Sequence, residues 1–385
     1  MEVVCPFDQK LLSHKAHDKV IVKTCGALAE AGVPVTVLFQ EGPDTEEVVR
    51  FYGLSGASRL LRFVSQRLRF SVIGFRVSFR YVYRRSCLTM ARHLGKDGRA
   101  VVYLSELPMA NHFVRFRRAS DPMVLVYEVH DLERLKGDRA NHRRVELEDR
   151  VFRSVDGLIV TTEALASRLV RDYVIPRKCL VRVIHLCSTY PGEVEPAERM
   201  ERDGMNVFYL GQIYPLQGLE VAIEALALAP QWRLHIVGYG TSQYVGILAE
   251  RARRAGVGGR VVWHGFRKPD DLPKLIVEAD AFVLPASDQE RMPYVAHTKL
   301  YDYLACAKPI LAADLPSVRE VVDDGGNGFL FPPGDHVALA GLLVRLAKDP
   351  ALMSRLGRGA LDTAGRYSCD ERARSMSAMF REMWG

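Results

Sequence analysis

At 385 residues the chain exceeds what one ordinary hydrophobic core serves and fits two domains of about 150–200 residues each. Hydrophobic residues make up 48% and charged residues 26%, the balance of a folded globular protein, which excludes disorder as the main theme. The net charge of +7 directs attention to anionic partners. Met1 and Glu2 lead into a short apolar strand, without the basic start and longer apolar core of a secretory signal. No uninterrupted apolar run nears the roughly 18–20 residues of a membrane span. The seven cysteines are odd in number, scattered, and free of CxxC pairs. Neither a zinc site nor a disulfide framework is expected, and a reducing cytoplasm fits.

Strand and helix patterns alternate along the chain, as in parallel α/β layers. Val3 and Val4 open a strand. Residues 19–31 read as an amphipathic helix that Gly32 stops. Strands are expected at 35–39, 101–104, 123–129, 157–160 and 181–184, with a helix at 145–152 and Thr162 capping the next one. The polar, proline-bearing stretch 191–203 reads as an interdomain linker. Beyond it, strands are expected at 206–210, 232–237, 261–264, 281–284, 309–312 and 329–331. Helices are expected at 219–228, 244–255, 272–278, 299–305 with Thr298 as cap, 336–347, and from Leu352 onward.

The charge excess is concentrated. Residues 58–96 contain no Asp or Glu, but carry Arg59, Arg62, Arg67, Arg69, Arg76, Arg80, Arg84, Arg85, Arg92 and Lys96. Phe63, Phe70, Phe75, Phe79, Tyr81 and Tyr83 are interleaved with them. Such a stretch suits an anionic membrane surface, a solvated helix face with arginine stems lying on the core, or nucleic acid. The membrane surface is the expected partner, on the inner face of the cell membrane; nucleic acid is not expected.

Three strands of the second half end in glycine, at Gly211, Gly238 and Gly265, and Gly240 follows closely. Glycine allows backbone conformations and close approaches that side chains forbid. At the carboxyl edge of a parallel sheet, ligands bind where the loops part, and helices that begin there aim free N–H groups at anions. A nucleotide diphosphate is the natural occupant.

Residues 207–335 resemble the donor domain of glycosyltransferase family 4. They hold YLGQIYPLQGLEVAIEAL, LHIVGYG, VWHGF, ADAFVLPA, TKLYDYLACAKPILA and GNGFLFPPGD in the family's order. In the first half, ALAEAGVPVTVL, VYEVHDLE and LEDRVFRSVDGLIVTTEALASRL are similar to the family's opening segments. The closing YSCDERARSMSAMFREMW resembles the C-terminal helix that returns to the first domain. The resemblance implies an α/β GT-B fold of two Rossmann-like, doubly wound domains facing across a cleft. The implied boundaries are 1–192 for an acceptor domain, with the helix at about 370–385 packed back on it, and 204–369 for the donor domain.

The same resemblance assigns roles. Gly211 lets the pyrophosphate approach the backbone, with Gly238, Gly240, Phe266 and Arg267 around the donor. Where relatives place Arg and Lys to neutralise the diphosphate, this chain has Gln212 and Gln217, which supply hydrogen bonds but no cation. Lys299, Arg267 and Lys268 are the candidates for that charge. Of the family's E-x7-E pair only the second acid is present, as Asp302, which would hold the donor ribose; Tyr294 stands at the first position. The segment from Tyr294 through His297, Thr298, Lys299 and Leu300 would approach the sugar and phosphates. His130 matches the cleft histidine and, with Asp302, is a candidate catalytic residue; Glu128 and Asp131 flank it, one expected to point inward to a partner. Ser13, His14 and Lys15, with His17, would face the acceptor.

The implied reaction is glycosyl transfer with retention, from a UDP- or GDP-sugar to a glycan or lipid-linked acceptor. No carboxylate pair suggests a glycosidase. No DxD signature is present, so neither a metal nor another cofactor is expected. The neutral Gln212 and Gln217 keep open a catalytically silent scaffold. A nucleotide-sugar epimerase of similar shape is the other alternative. The absence of G-x-G-x-x-G after the first strand argues against a plain NAD-binding protein.

Overall fold

The computed structural model describes residues 1–7, 16–40, 45–52, 54, 59–66, 79–95, 100–188, 204–267 and 271–384. Residues 191–203, read above as a linker, lie outside the described residues. The chain divides into two compact units, Met1–Thr189 with Ser368–Gly385, and Tyr190–Tyr367.

In the first unit the strands are β1 (Glu2–Pro6), β2 (Val35–Gln40), β3 (Leu61–Gln66), β4 (Ala100–Leu104), β5 (Met123–Val129), β6 (Gly157–Val160) and β7 (Leu180–Val183). They pair in parallel in the order β3-β2-β1-β4-β5-β6-β7. The helices of the first unit before the crossing are α1 (Ala16–Glu30), α2 (Thr45–Tyr52), α3 (Phe79–Leu94), α4 (Leu107–Phe116), α5 (His142–Phe152) and α6 (Glu163–Asp172). The central strands are continuous apolar runs: Val3, Val4, Val101, Val102, Tyr103, Leu125, Val126 and Ile159 are all fully buried. Runs of this kind belong to strands covered on both faces by helices. α1 ends before Gly32, whose φ of 84° lies in the left-handed region. Thr162 caps α6, as the sequence indicates, accepting from the Leu165 amide at 3.0 Å.

In the second unit the strands are β8 (Met205–Leu210), β9 (Trp232–Val237), β10 (Val261–Gly265), β11 (Ala281–Leu284), β12 (Ile310–Ala313) and β13 (Gly328–Phe331). They too are parallel, in the order β10-β9-β8-β11-β12-β13. The helices are α7 (Leu219–Leu228), α8 (Ser242–Arg254), α9 (Leu272–Ile276), α10 (Thr298–Ala305), α11 (Pro316–Arg319), α12 (His336–Lys348) and α13 (Pro350–Ala364). The chain then re-enters the first unit as α14 (Cys369–Glu382). In both sheets the order reverses direction beside the first strand of the unit, between β1 and β4 and between β8 and β11, which is where doubly wound sheets open a crevice.

α14 carries an apolar face of Ala373, Met376, Met379 and Phe380, which joins the same buried cluster as Val3, Ile21, Cys25 and Ile159. It also brings in one charge. Arg372 and Glu128 of β5 are paired at 2.7 Å with side chains 1% and 0% exposed. The guanidinium meets both carboxylate oxygens, at 2.7 and 2.8 Å. Its other N–H groups donate to the Ile184 and His185 carbonyls and to Thr24 Oγ1. Tyr103 donates its hydroxyl to the same carboxylate. Burial alone would favour a neutral Arg372, but Glu128 and Tyr103 outweigh it and hold the guanidinium above its ordinary range. Burial, reinforced by the Glu128 charge, pushes the Tyr103 phenol well up.

Two sequence expectations are corrected. Cys187, just after β7, is disulfide-bonded to Cys369, the first residue of α14, with Cα atoms 5.0 Å apart. Their separation of 182 positions hides the pairing from the sequence, because only the chain's return to the first unit brings the two together. Of the basic stretch 58–96, the described residues form the edge strand β3 (Leu61–Gln66) and α3 from Phe79, while 67–78, with Arg67, Arg69, Phe70, Phe75 and Arg76, and Lys96 lie outside the described residues. Within that stretch Arg62 pairs with Glu2 at 2.6 Å and Arg92 with Asp121 at 2.8 Å, acids supplied from elsewhere in the fold. Thr298 is the first residue of α10 rather than its cap, a position that His297 holds without a side-chain hydrogen bond.

Removing one partner of a buried ion pair strands the other charge, so Arg372→Met should lower stability by about 3–5 kcal/mol. A denaturant titration following the first unit's transition reads this. Arg372→Met combined with Glu128→Leu should recover much of the loss, because no charge then remains unpaired. An unchanged midpoint in the single variant would show that the pair does not hold α14.

Candidate functional site

The second unit's crevice is built from backbone that side chains could not share. Gly211 leaves β8 with φ 136°, and Gly238 leaves β9 with φ 154°. A Cβ on Gly238 would lie 1.7 Å from the Gly211 carbonyl oxygen, so the two strand ends pack main chain against main chain. Ile213 then donates to the Tyr239 carbonyl at 2.8 Å, continuing the pairing past the sheet. Gly218, with φ 65°, caps α7, and a Cβ there would meet the Pro285 oxygen at 1.9 Å.

Into this edge comes Lys299, from the first turn of α10. A Cβ on Gly211 would stand 3.1 Å from its Cε and 3.4 Å from its Nζ. The ammonium donates to the Tyr209 hydroxyl at 2.9 Å and to Gln217 Oε1, and lies 4.4 Å from the centre of the Tyr209 ring. Gln217 is buried and donates in turn to Tyr214 Oη at 2.7 Å. Among the described residues no carboxylate pairs with Lys299, and burial pulls it down to about 7 from an ordinary 10.5. A cation held by neutral dipoles beside a partly exposed glycine backbone is able to receive an anion. Lys299 thereby supplies a charge at the place where Gln217 supplies none.

The other residues singled out in the sequence divide between lining and support. Gln212 is exposed and donates to the Tyr239 hydroxyl at 2.6 Å. Tyr239 and Phe266 are each 44% exposed and meet edge to face with ring centres 6.2 Å apart. Arg267 is exposed beside them, whereas Lys268 lies outside the described residues. His297 is buried, with Nε2 3.0 Å from the Met292 carbonyl; burial, then the Lys299 charge, lowers it to about 4. It is a neutral donor that fixes the turn before α10. Thr298 is partly exposed at the helix start, while the Leu300 side chain is core and its amide donates to the His297 carbonyl. Tyr294 lies in the turn that its amide closes on the Arg291 carbonyl at 2.9 Å. Asp302 is partly buried one turn further along α10, and the hydroxyl of Tyr303 beside it is engaged by the backbone, accepting from the Leu210 amide at 2.9 Å.

In the first unit His130 follows β5 directly, partly exposed, with Nε2 3.3 Å from Glu128 Oε1. Of the two acids flanking it, Glu128 points inward to Arg372, as expected of one of them, and Asp131 accepts from the Leu132 amide at 2.8 Å. The following turn rests on Glu148, which accepts from the Glu133 amide and from Tyr173 and is pushed up to about 7 by burial. Ser13, His14 and Lys15 lie outside the described residues. Sequence reasoning misses Tyr209, Tyr214 and Tyr239, which hold the glutamines and the lysine, and it misses Arg372. Tyr209 is the most visible of these, as a phenol set in a wholly buried strand two residues before Gly211.

Two family models match the chain, "Glycosyl transferase 4-like domain" over residues 18–187 and "Glycosyl transferases group 1" over residues 196–362. The chain belongs to the glycosyltransferases of the family 4 type. A D-inositol 3-phosphate glycosyltransferase of Streptomyces bingchenggensis is 30% identical over 288 residues, 67% of this chain and 61% of that relative. The match thus spans less than two thirds of that relative's length. The α-D-kanosaminyltransferase of Streptomyces kanamyceticus is 24% identical over 367 residues, 89% of this chain and 87% of the relative. Among solved structures, sucrose-phosphate synthase from Thermosynechococcus elongatus superposes with a TM-score of 0.75 at 17% identity, covering 100% of this chain and 99% of that one. Anabaena HepE, solved with UDP and glucose, gives 0.74 at 16% identity, covering 99% and 100%. These likenesses identify the two parallel-sheet units as the GT-B fold. The glycine-edged crevice and Lys299 lie in the region matched by the group 1 model, and His130 in that of the 4-like model.

Folding lowers the Lys299 value, so the ligand-free fold binds fewer protons than the unfolded chain between about pH 7 and 10.5 and gains stability as pH rises through that window. An anion against Nζ restores the charged form. Binding of UDP should therefore take up a proton above about pH 7.5, and affinity should fall toward about pH 9, as read by calorimetry in buffers of different ionisation enthalpy. Lys299→Gln should abolish the uptake and weaken binding by roughly 1.5–3 kcal/mol. Proton uptake unchanged in that variant would remove Lys299 from the anion site.

Proposed function

We propose that the chain transfers a sugar, with retention at the anomeric carbon, from a UDP- or GDP-sugar to a glycan or lipid-linked acceptor in cell-surface polysaccharide or glycolipid synthesis. The observation that carries this reading is the carboxylate-free Lys299 ammonium beside Gly211. A leaving diphosphate needs its growing charge neutralised, and preorganised cations and N–H dipoles do this best where water is excluded. On this reading Lys299 performs that task, assisted by the N-terminal turn of α10, and the reaction needs no metal. Asp302 would hold the ribose hydroxyls, and Tyr239 and Phe266 would flank the base. His130, whose Nε2 stands 3.3 Å from Glu128 Oε1, would contact the transferred sugar or acceptor. HepE, solved with UDP-glucose, offers a precedent in the same fold.

The neutral Gln212 and Gln217 favour a second reading, a silent scaffold. The two separate on turnover. Full-length protein incubated with UDP- or GDP-sugars and short glycan or lipid-linked acceptors should release nucleotide diphosphate in step with product. Asp302→Ala should weaken nucleotide binding by about 1.5–3 kcal/mol, while His130→Ala should slow transfer and leave nucleotide affinity nearly unchanged. Binding without any release across the panel would favour the scaffold, and absence of nucleotide binding would sink both.

An anionic membrane surface is the proposed site of action. Among the described residues no helix is long and apolar enough to cross a membrane. Arg80 and Tyr81 are exposed at the start of α3, and the Arg85 and Arg115 guanidiniums lie 5.4 and 5.6 Å from the Phe116 ring centre. With Arg62 and Arg92 already paired, fewer basic groups face lipid than the sequence suggests, and attachment worth a few times about 1 kcal/mol is reversible and salt-sensitive. Co-sedimentation should be seen with anionic vesicles at low salt and vanish at high salt; equal recovery with neutral vesicles would count against a charge-led surface.

A further inference from the structure

The segment through which the chain leaves the first unit and the segment through which it returns are joined covalently. Cys187 stands shortly before the boundary at Thr189, and Cys369 directly after the boundary at Ser368. The remaining five cysteines are all buried and unpaired by disulfides. We propose that Cys187 and Cys369 form a reversible disulfide, a thiol-redox clasp that fastens the start of α14 to the segment after β7 within the first unit. This inference is independent of what the transferase acts on.

The two sulfurs are placed for unequal parts. Cys369 is partly exposed and opens α14, with Ser368 as N-cap accepting from the Glu371 amide at 3.2 Å. The positive end of a helix favours the thiolate needed for exchange. Cys187 is 1% exposed, with its Cα 5.0 Å from that of Cys369, inside the distance a disulfide spans without backbone movement. Cys369 is therefore the entry thiol and Cys187 the resolving one. The Cys369 thiolate attacks one sulfur of a small-molecule disulfide, releasing one thiolate and leaving a mixed disulfide. The Cys187 thiolate then attacks Cys369 Sγ and expels the second thiolate. Two protein thiols are oxidised, the small disulfide is reduced to two thiols, and the two protein protons end on them. A dithiol reverses both steps.

The neighbouring contacts say what the clasp holds. One turn along α14, Arg372 donates to the carbonyls of Ile184 and His185 at 3.0 and 2.6 Å, in the segment leading to Cys187. The Arg372 hydrogen bonds and the disulfide thus fasten the same turn of helix to the same stretch of chain. With the disulfide closed, Cys369 stays beside Cys187 even when the rest of α14 loosens; with it open, the Arg372 contacts and the apolar face of α14 hold the helix to the first unit.

The test uses the full chain equilibrated with oxidised or reduced dithiothreitol, quenched in acid, then alkylated under denaturing conditions. The reduced chain should take up seven alkyl groups and the oxidised chain five, with peptide mapping joining Cys187 to Cys369. The first unit's melting temperature should be higher in the oxidised form by roughly 5–10 °C, and Cys187→Ser and Cys369→Ser should each erase that difference. Seven alkylations in the oxidised chain, or a bond between another pair, would overturn the proposal. So would melting that is indifferent to redox state in the wild type. The alkylation and mapping use wild-type protein, so they decide the matter even where a serine variant folds poorly.

Discussion

One buried charge organises the first unit. Arg372 arrives on the last helix and, among the described residues, has its charge matched by Glu128, a residue of β5 with no exposed surface. A pair of this kind contributes little net stability over apolar packing, but it punishes every arrangement in which the partners miss each other. The apolar face of α14 could slide along the sheet at modest cost. The bidentate contact, with the Ile184, His185 and Thr24 bonds, fixes one registry. His130 inherits that order, because the carboxylate beside its Nε2 is the one held by Arg372.

The second unit holds the Lys299 cation by neutral dipoles beside Gly211, an arrangement able to receive an anion. A carboxylate partner would stabilise Lys299 and also close the site. Hydroxyl and amide dipoles position the ammonium without cancelling its charge, and this is what Tyr209 and Gln217 do. At position 217 a glutamine supplies a dipole that accepts from the ammonium, and the positive charge at this edge enters from α10. Close backbone packing at Gly211, Gly238 and Gly218 keeps side chains away from the same edge.

Local signals make much of the architecture readable. Continuous apolar runs mark the buried strands, glycines mark their ends, and Thr162 marks a helix start through a hydrogen bond only three residues long. β3 and its neighbours look along the chain like one basic amphipathic stretch, because Arg62 interrupts the pattern of an edge strand; its partner, Glu2, is contributed by another strand. His297, expected to approach the donor, is instead buried against the Met292 carbonyl, a contact set by how the turn folds.

The sequence by itself determined what depends on near neighbours: the alternation of strands and helices, the glycine-ended strands, the family motifs, and the presence of Lys299 and Asp302 on one helix. Tertiary structure alone decided which distant groups meet. Arg372 finds Glu128 across 244 positions, and Cys369 finds Cys187 across 182. The physical reason is that such pairs leave no periodic trace. A buried charge or a lone thiol looks the same along the chain whether its partner is beside it or absent, and only the packing of α14 onto the first sheet brings each to the group that satisfies it.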